Sequence, residues 1–292
     1  MKISLGPIHY YWSKDHIAQF YRSAEQWPVD IVYLGETVCA KRRALHRADW
    51  LDIAARLTDA GKEVVLSTLA LLEANSDILQ LEKMCANANY LLEANDMSAV
   101  HFLAGRSPFI AGPHINCYNS ETLSLLAELG AARWVPPVEL SSTAISTLQN
   151  TRPEAMETEV FAYGYLPLSF SARCFTARAD NVGKDECEQR CIRDPEGRPL
   201  FTQEHERLFT MNGIQLQSGI PCNLLYEMGA MSNMRIDIVR ISPQLKDTDT
   251  VVKTFRAALD GSPVPEGTLH SPACNGYWHG LPGMTFMHAH ND

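Results

Sequence analysis

Short apolar runs alternate with longer amphipathic stretches along most of this chain. Runs that are rich in Val, Ile, Leu and aromatic residues, bounded by polar or turn-forming residues, predict strands. These predicted strands lie at 2–5, 30–34, 63–67, 90–93, 109–111, 133–135, 158–163 and 236–241. Between several of them, apolar residues recur three and four positions apart, which is typical of one buried helix face. Helices are therefore predicted at 14–26, 46–60, 75–88, 119–129, 141–149 and 249–259.

The order of these elements predicts the fold class. Strands that are separated by helices and bounded by Gly or Pro indicate parallel βαβ units. Eight such units suit an α/β fold of the (β/α)8 TIM-like barrel type, with a doubly wound open sheet as the competing topology. We predict a single barrel domain over 1–292, with a Cys-rich insertion at 164–235 between strands seven and eight. Asn119, Ser141 and either Thr248 or Asp249 are plausible caps of the last three helices.

Charge and hydropathy limit the partners of the chain. It has 25 Lys and Arg residues against 34 Asp and Glu residues, a net charge of −9. This balance disfavours nucleic acid, and it carries no polybasic signal for an anionic membrane. The start, MKISLGPIHY, lacks a signal-peptide pattern, and no run of eighteen apolar residues predicts a transmembrane segment. We therefore expect a soluble cytoplasmic protein.

Four of the eight cysteines are candidates for one metal centre. Cys39 follows the second predicted strand, while Cys174, Cys187 and Cys191 lie in the polar segment after the seventh. Loops that follow barrel strands share the C-terminal rim, so the two groups should face each other. In a reducing cytosol, clustered thiols bind metal more often than they form disulfides. The spacing leaves zinc and an iron–sulfur cluster both open.

The neighbours of these cysteines fit a metal site. Cys187 and Cys191 are four residues apart among good helix formers, which predicts side chains one helical turn apart. Cys174 lies between Arg173 and Arg178, whose charge would favour a thiolate. The remaining cysteines are expected to take no part, as small apolar side chains. These are Cys85, Cys117, Cys222 and Cys274.

Three segments carry a resemblance to a known family. LGETVCAKRR, YGYLPLSFSARCFTARADNVGKDECEQRC and CNGYWHG resemble the U32 "peptidase" family, and within it the UbiV branch of oxygen-independent ubiquinone biosynthesis. The resemblance implies that Cys39, Cys174, Cys187 and Cys191 bind a [4Fe–4S] cluster. It also implies a heterodimer with a UbiU-like U32 protein, and hydroxylation of the ring of a ubiquinone-precursor lipid with prephenate as the oxygen source. The sequence contains no protease triad or H-E-x-x-H pattern to support the peptidase name.

Full ligation by four cysteines leaves no open position on the iron, which suits electron transfer or a structural role. The alternative function is therefore a structural or scaffold subunit with four Cys ligands to zinc or an iron–sulfur cluster, without its own catalytic pocket. The catalytic residues stay unknown at this level. The C-terminal tail carries His288 and His290. We expect this tail to be disordered rather than to form a metal site.

Polar residues at the ends of predicted strands are candidates for a substrate pocket, because barrel enzymes place their chemistry there. The first candidates are Glu36, Asn116, Glu139 and Tyr163. Further candidates by the same rule are Glu93, Asn95, His114 and Tyr118.

Overall fold

The computed structural model describes residues 1–86, 89–265, 269 and 272–287, and its central element is a closed parallel barrel. The eleventh strand pairs in parallel with both the first and the seventh, which closes the ring and excludes the open sheet. The (β/α)8 class is thereby confirmed. The barrel strands are β1 (Lys2–Leu5), β2 (Ile31–Leu34), β3 (Glu63–Ser67), β4 (Leu91–Ala94), β5 (Phe109–Ala111), β6 (Ala131–Trp134), β7 (Glu157–Phe170) and β11 (Ile238–Ile241).

Each barrel strand is followed along the chain by one or more helices. They are α1 (Lys14–Ala24), α2 (Arg47–Asp59), α3 (Asn75–Ala86), α4 (Met97–Leu103), α5 (Ser120–Glu128), α6 (Ser142–Gln149), α7 (Phe175–Ala179), α8 (Met228–Asn233) and α9 (Thr248–Leu259). Within the described part of the chain, no helix has the length and apolar character needed to cross a membrane. His288 and His290 lie outside the described residues.

The helix ends test the predicted caps. Asn119 and Ser141 are caps as predicted, accepting hydrogen bonds from the backbone N–H groups of Thr122 and Ala144. The prediction for the last helix was wrong, since its N-cap is Asp247, which has a left-handed backbone and makes no capping bond. The helix α4 was not predicted because it is only seven residues long. Its N-cap Asp96, which accepts a hydrogen bond from Ser98 N–H at 2.7 Å, was the sequence feature that could have indicated its start.

Side chains alternate between the two faces of each barrel strand, as strand geometry requires. In β2, Val32 and Leu34 pack outward against the helices, while Ile31 and Tyr33 belong to the inner cluster. That inner cluster consists of Ile31, Tyr33, Val65, Ile110, Val135 and Ile238.

Charged side chains share the barrel interior with this apolar layer. Arg240 on β11 donates from Nε to Glu159 at 2.7 Å, and its Nη1 lies 2.7 Å from Glu93. Arg133 lies 3.5 Å from Glu159, and Ser4 donates to the same carboxylate at 2.5 Å. Glu159 is fully buried, so these contacts compensate a charge that water cannot reach.

The segment after the barrel part of β7 builds a small antiparallel sheet. β7 runs to Phe170 rather than ending at 163, and its outer half pairs with β10 (Gln215–Asn223). β9 (Arg207–Asn212) pairs with β10, and β8 (Arg198–Phe201) pairs with β9. This sheet was not predicted, although Asn212-Gly213 between two alternating runs is a strong hairpin signal. It holds the polar segment that carries three cysteines against one end of the barrel.

Candidate metal centre and barrel mouth

Cys39, Cys174, Cys187 and Cys191 line one cleft of about 380 Å³. Cys39 comes from the loop after β2, and the other three come from the segment that follows β7. All four are partly buried and have free thiols. The structure therefore brings together the four cysteines that the sequence singled out.

Glu36 and Arg42 organise the loop that carries Cys39. The Glu36 carboxylate accepts hydrogen bonds from the backbone N–H groups of Val38 at 2.8 Å and Cys39 at 3.0 Å. Arg42 is buried, lies 3.7 Å from Glu36, and donates from its backbone N–H to the Cys39 carbonyl oxygen at 3.0 Å. These contacts fix the direction in which Cys39 enters the cleft.

Cys174 is the N-cap of the short helix α7, and its Sγ accepts a hydrogen bond from Ala177 N–H at 3.4 Å. The turn between β9 and β10 supports this helix, since Gly213 accepts from Phe175 N–H at 2.9 Å and donates to Thr176 Oγ1 at 3.1 Å. Gly213 has φ +67°, and a Cβ built on it would lie 2.8 Å from Nη2 of Arg42. The cleft wall therefore needs glycine at this position.

The expectation that Cys187 and Cys191 share one turn of an α-helix was wrong. Cys187 follows a short 3-10 helix at Lys184–Glu186, and Cys191 lies in another at Arg190–Arg193. Between them, Glu188 and Gln189 both have left-handed backbones. This break turns the chain around the cleft, and Gln189 is fixed there because its Oε1 accepts a 2.6 Å hydrogen bond from the Tyr11 hydroxyl.

Positive charge surrounds the four thiols. Lys41, Arg42, Lys184 and Arg190 line the cleft, whereas Arg173 and Arg178 do not belong to its lining. Burial raises the pKa of Cys39 to about 11 and also raises that of Cys191, while Arg42 lowers both. These two thiols, Cys39 and Cys191, are therefore protonated at neutral pH, and a metal that binds them must displace their protons.

Four thiols in a cationic setting are a donor set that suits either zinc or an iron–sulfur cluster. Among the residues that the structure describes, no three His, Cys, Asp or Glu side chains are arranged to hold one metal ion. A single zinc needs each sulfur about 2.3 Å from a common point. A [4Fe–4S] cluster instead binds one thiolate at each of its four irons, so its ligands are spread over the corners of the cluster. The cationic lining would offset the negative charge of such a group.

The sequence from residue 19 to residue 268 matches the family model described as peptidase family U32. The chain belongs to this family. Among solved structures, the U32 peptidase Mk0906 has 12% identity over 84% of this chain and 93% of its own, with a TM-score of 0.47. A dihydropteroate synthase from Burkholderia cenocepacia has 11% identity over 89% of this chain and 92% of its own, with a TM-score of 0.40. Since both TM-scores are below 0.5, the family match alone carries the assignment.

The other four cysteines of this U32 protein are absent from the described lining of the cleft. Cys222 and Cys274 are buried neighbours joined by an isolated β-bridge, with Cys274 N–H donating to the Pro221 carbonyl at 2.9 Å. Cys117 is buried in the cluster beneath α5, and Cys85 is a partly buried residue of α3. These positions are those of small packing side chains.

The four first-ranked substrate candidates are distributed over separate places. Glu36 organises the Cys39 loop, and Asn116 is an exposed residue with φ 58° at the end of a short 3-10 helix. Glu139 is exposed and accepts a hydrogen bond from the Tyr118 hydroxyl. Tyr163 is buried in the main core, with its ring edge-on to Phe255. The structure does not bring these four residues together.

Three of the further candidates meet at the C-terminal mouth of the barrel. Glu93, Asn95 and His114 line one small pocket there. The sequence analysis missed His9 and Arg240, which also line it. The sequence did contain a signal for Arg240. A charged residue within the apolar strand IDIVRI must either lie at the edge of the sheet or have a specific role in the barrel interior.

Proposed function

We propose that this chain is the iron–sulfur subunit of an O2-independent ring hydroxylase of ubiquinone biosynthesis, similar in role to UbiV. The single observation that carries the metal part of this proposal is the common cleft of Cys39, Cys174, Cys187 and Cys191. Membership of the U32 family supports it. The reaction, the ubiquinone-precursor substrate and prephenate as oxygen source rest on the resemblance of the three sequence segments described above.

The four cysteines would hold a [4Fe–4S] cluster, and the chain's other residues would tune the site. Glu36 holds the Cys39 loop through two backbone N–H groups, and Arg42 places a buried cation beside the thiols. Lys41 bridges the two loops, since its ammonium donates to the Lys184 carbonyl at 3.0 Å and to Asp185 at 2.6 Å. When bound, such a cluster supplies one-electron transfer.

A UbiU-like U32 partner is part of the proposal. The cysteines Cys187 and Cys191 lie on partly exposed 3-10 turns, so a cluster there would be open to solvent and oxygen on one side. A partner subunit that covers this side would protect the cluster and bring a second redox centre close to it. We therefore expect a one-to-one complex in which each subunit keeps its own cluster, in the cytoplasm.

Anaerobic purification tests the proposal directly. The complex should be coloured, with four iron and four sulfide per chain of this protein, which is the composition of the cluster itself. Cells that lack the protein should make no ubiquinone without oxygen and normal amounts with oxygen. The alternative, a scaffold subunit held by zinc, predicts a colourless protein with one zinc per chain. Normal anaerobic ubiquinone in the deleted strain would refute the hydroxylase role, even if a cluster is present.

A further inference from the structure

Two arginines at the cysteine cleft each carry a buried guanidinium atom that has no hydrogen-bond partner among the described residues. The atoms are Nε of Arg42 and Nε of Arg190, and both residues line the cleft. Buried polar atoms are almost always paired in proteins, and a guanidinium group stays protonated at physiological pH. Each Nε–H group is therefore a donor that is available to a group bound in the cleft.

The guanidinium of Arg42 is held by its two outer nitrogens. Its side chain is 1% exposed. Nη1 donates to the His9 carbonyl oxygen at 2.6 Å, and Nη2 donates to Asn212 Oδ1 at 2.7 Å. A Cβ built on Gly213, which lies in the cleft wall, would be 3.8 Å from Nε. These contacts fix the guanidinium plane and leave Nε beside the wall of the cleft.

The guanidinium of Arg190 is held more loosely. Its ion-pair partners Asp180 and Glu188 both lie 3.8 Å away, beyond hydrogen-bond distance. The backbone N–H of Arg190 donates to the Cys187 carbonyl oxygen at 3.0 Å, within the turn that leads from Cys187 to Cys191. Arg190 can therefore donate from Nε while it keeps both ion pairs.

A metal bound by the cysteines would supply acceptors for these donors. Burial raises the pKa values of Cys39 and Cys191, and Arg42 acts against burial at both, so its charge reaches a thiol from each loop of the cleft. A neutral thiol is a weak acceptor, whereas a thiolate or sulfide with negative charge is a strong one. Because metal binding removes the thiol protons, it creates strong acceptors next to the two arginines.

We propose that Arg42 and Arg190 donate from Nε to sulfur atoms of a thiolate-bound metal centre, and that these bonds control how readily it is reduced or released. Hydrogen bonds and positive charge at the sulfur atoms stabilise the more negative form of such a centre. For an iron–sulfur cluster this is the reduced form, so both arginines raise the reduction potential. For zinc bound by four thiolates, the same contacts slow metal release. The inference rests on the proposed metal centre and adds two residues that control it.

Three arginine-to-lysine variants test the inference, since lysine keeps the positive charge and has a carbon where arginine has Nε. Arg42→Lys and Arg190→Lys each remove one donor. Arg193→Lys is the matched control, because Arg193 lies in the same 3-10 turn as Arg190 but is exposed and lies outside the described lining of the cleft. If Arg42→Lys does not fold, Arg190→Lys decides, because the Arg190 side chain is 24% exposed and its ion pairs are long.

The full chain, purified without oxygen, is first analysed for iron, sulfide and zinc. If it holds iron, a redox titration followed by visible absorbance gives the midpoint potential. At the midpoint of the parent, the ratio of reduced to oxidised cluster should be about three- to tenfold lower in Arg42→Lys and Arg190→Lys, with unchanged iron content. A tenfold change in this ratio is about 59 mV for one electron. Arg193→Lys should match the parent.

If the chain holds zinc, the proposed iron–sulfur function fails while this inference is still tested. Release of zinc to a coloured chelator should then be about three- to tenfold faster in the two cleft variants than in Arg193→Lys.

An unchanged potential, or unchanged zinc release, in Arg42→Lys and Arg190→Lys would overturn the inference, because the Nε–H groups would then be paired with water. The same result in a chain loaded with iron would leave the proposed function intact. A chain that binds neither metal would overturn both.

Discussion

Arg42 donates a hydrogen bond of 2.6 Å from Nη1 to the carbonyl oxygen of His9, and this contact joins the cysteine cleft to the mouth of the barrel. The guanidinium of Arg42 lines the cysteine cleft, whereas the imidazole of His9 lines the barrel mouth. Asn212 completes the link, accepting from Arg42 Nη2 at 2.7 Å and donating to the same His9 carbonyl at 2.9 Å. All three residues are buried, so these hydrogen bonds form a direct, water-excluded contact between the two sites.

The cysteines of the cleft should act as one unit. Replacing Cys39, Cys174, Cys187 or Cys191 with Ala should remove most of the bound iron, because three thiolates leave one iron without its protein ligand. Iron and sulfide analysis after anaerobic purification measures this. Cys117→Ala serves as the control, since Cys117 is buried away from the cleft and should leave the iron content unchanged. Full iron in Cys174→Ala would remove that residue from the ligand set.

Gly213→Ala should disturb the cleft through Arg42. The new Cβ would lie 2.8 Å from Arg42 Nη2, in a backbone conformation with φ +67°. Gly61→Ala separates the two effects, because Gly61 also has positive φ (+80°) but no atom lies within 4 Å of its added Cβ. We expect Gly61→Ala to cost about 1–2 kcal/mol of unfolding free energy, and Gly213→Ala to cost about 1 kcal/mol more. Urea unfolding of both variants measures the difference, and equal costs would mean that Arg42 moves away freely.

Glu159 should be the most sensitive carboxylate of the barrel. Glu159→Gln removes the charge that compensates Arg240 in the interior, and breaking a buried pair in this way costs about 3–5 kcal/mol. Glu157→Gln is the matched control on the same strand, since the Glu157 side chain is 34% exposed and its partner Arg133 also contacts Glu63. Its cost should be at most about 1 kcal/mol. Denaturant unfolding compares the two, and similar values would mean that the interior network adds little.

The stability of the protein should depend on pH through His9. Burial lowers the pKa of folded His9 from 6.5 to about 3, with His114, Arg240 and Arg42 as the charged or titratable groups that act in the same direction. The unfolded chain therefore binds a proton that the folded chain excludes. Stability is fully present above the unfolded pKa and falls as the pH drops from about 6.5 toward 3, by up to about 1.4 kcal/mol per pH unit from this residue.

The test is the slope of unfolding free energy against pH between about pH 6 and pH 5. His9→Gln cannot titrate, so its slope should be smaller than that of the parent by up to one proton. The control is His16→Gln, because His16 is exposed on α1 and should leave the slope close to that of the parent. An unchanged slope in His9→Gln would show that His9 is solvated when folded.

Hydrophobic periodicity was enough to locate all eight barrel strands, because an apolar run between helices has few ways to be buried other than as a strand of a parallel sheet. It also located six of the helices, since their buried faces recur every three to four residues. Periodicity did not show whether the first-ranked pocket residues would face a pocket. Glu36 lies at a predicted strand end, yet its carboxylate turns back to its own loop, and the position of a residue along the chain does not specify that orientation.

In the segment 184–193, which carries Cys187 and Cys191, the local sequence likewise did not determine the conformation. Its residues favour a helix, but contacts with distant parts of the chain, including Tyr11 to Gln189 and Lys41 to Asp185, stabilise two 3-10 turns and a left-handed break instead. The identity of the candidate thiols was readable because polar neighbours set them apart from packing cysteines. That they line one cleft, and that Arg240, Asn95, Thr37 and His9 meet at the barrel mouth, depends on closure of the barrel, which brings together strand ends that are far apart in sequence.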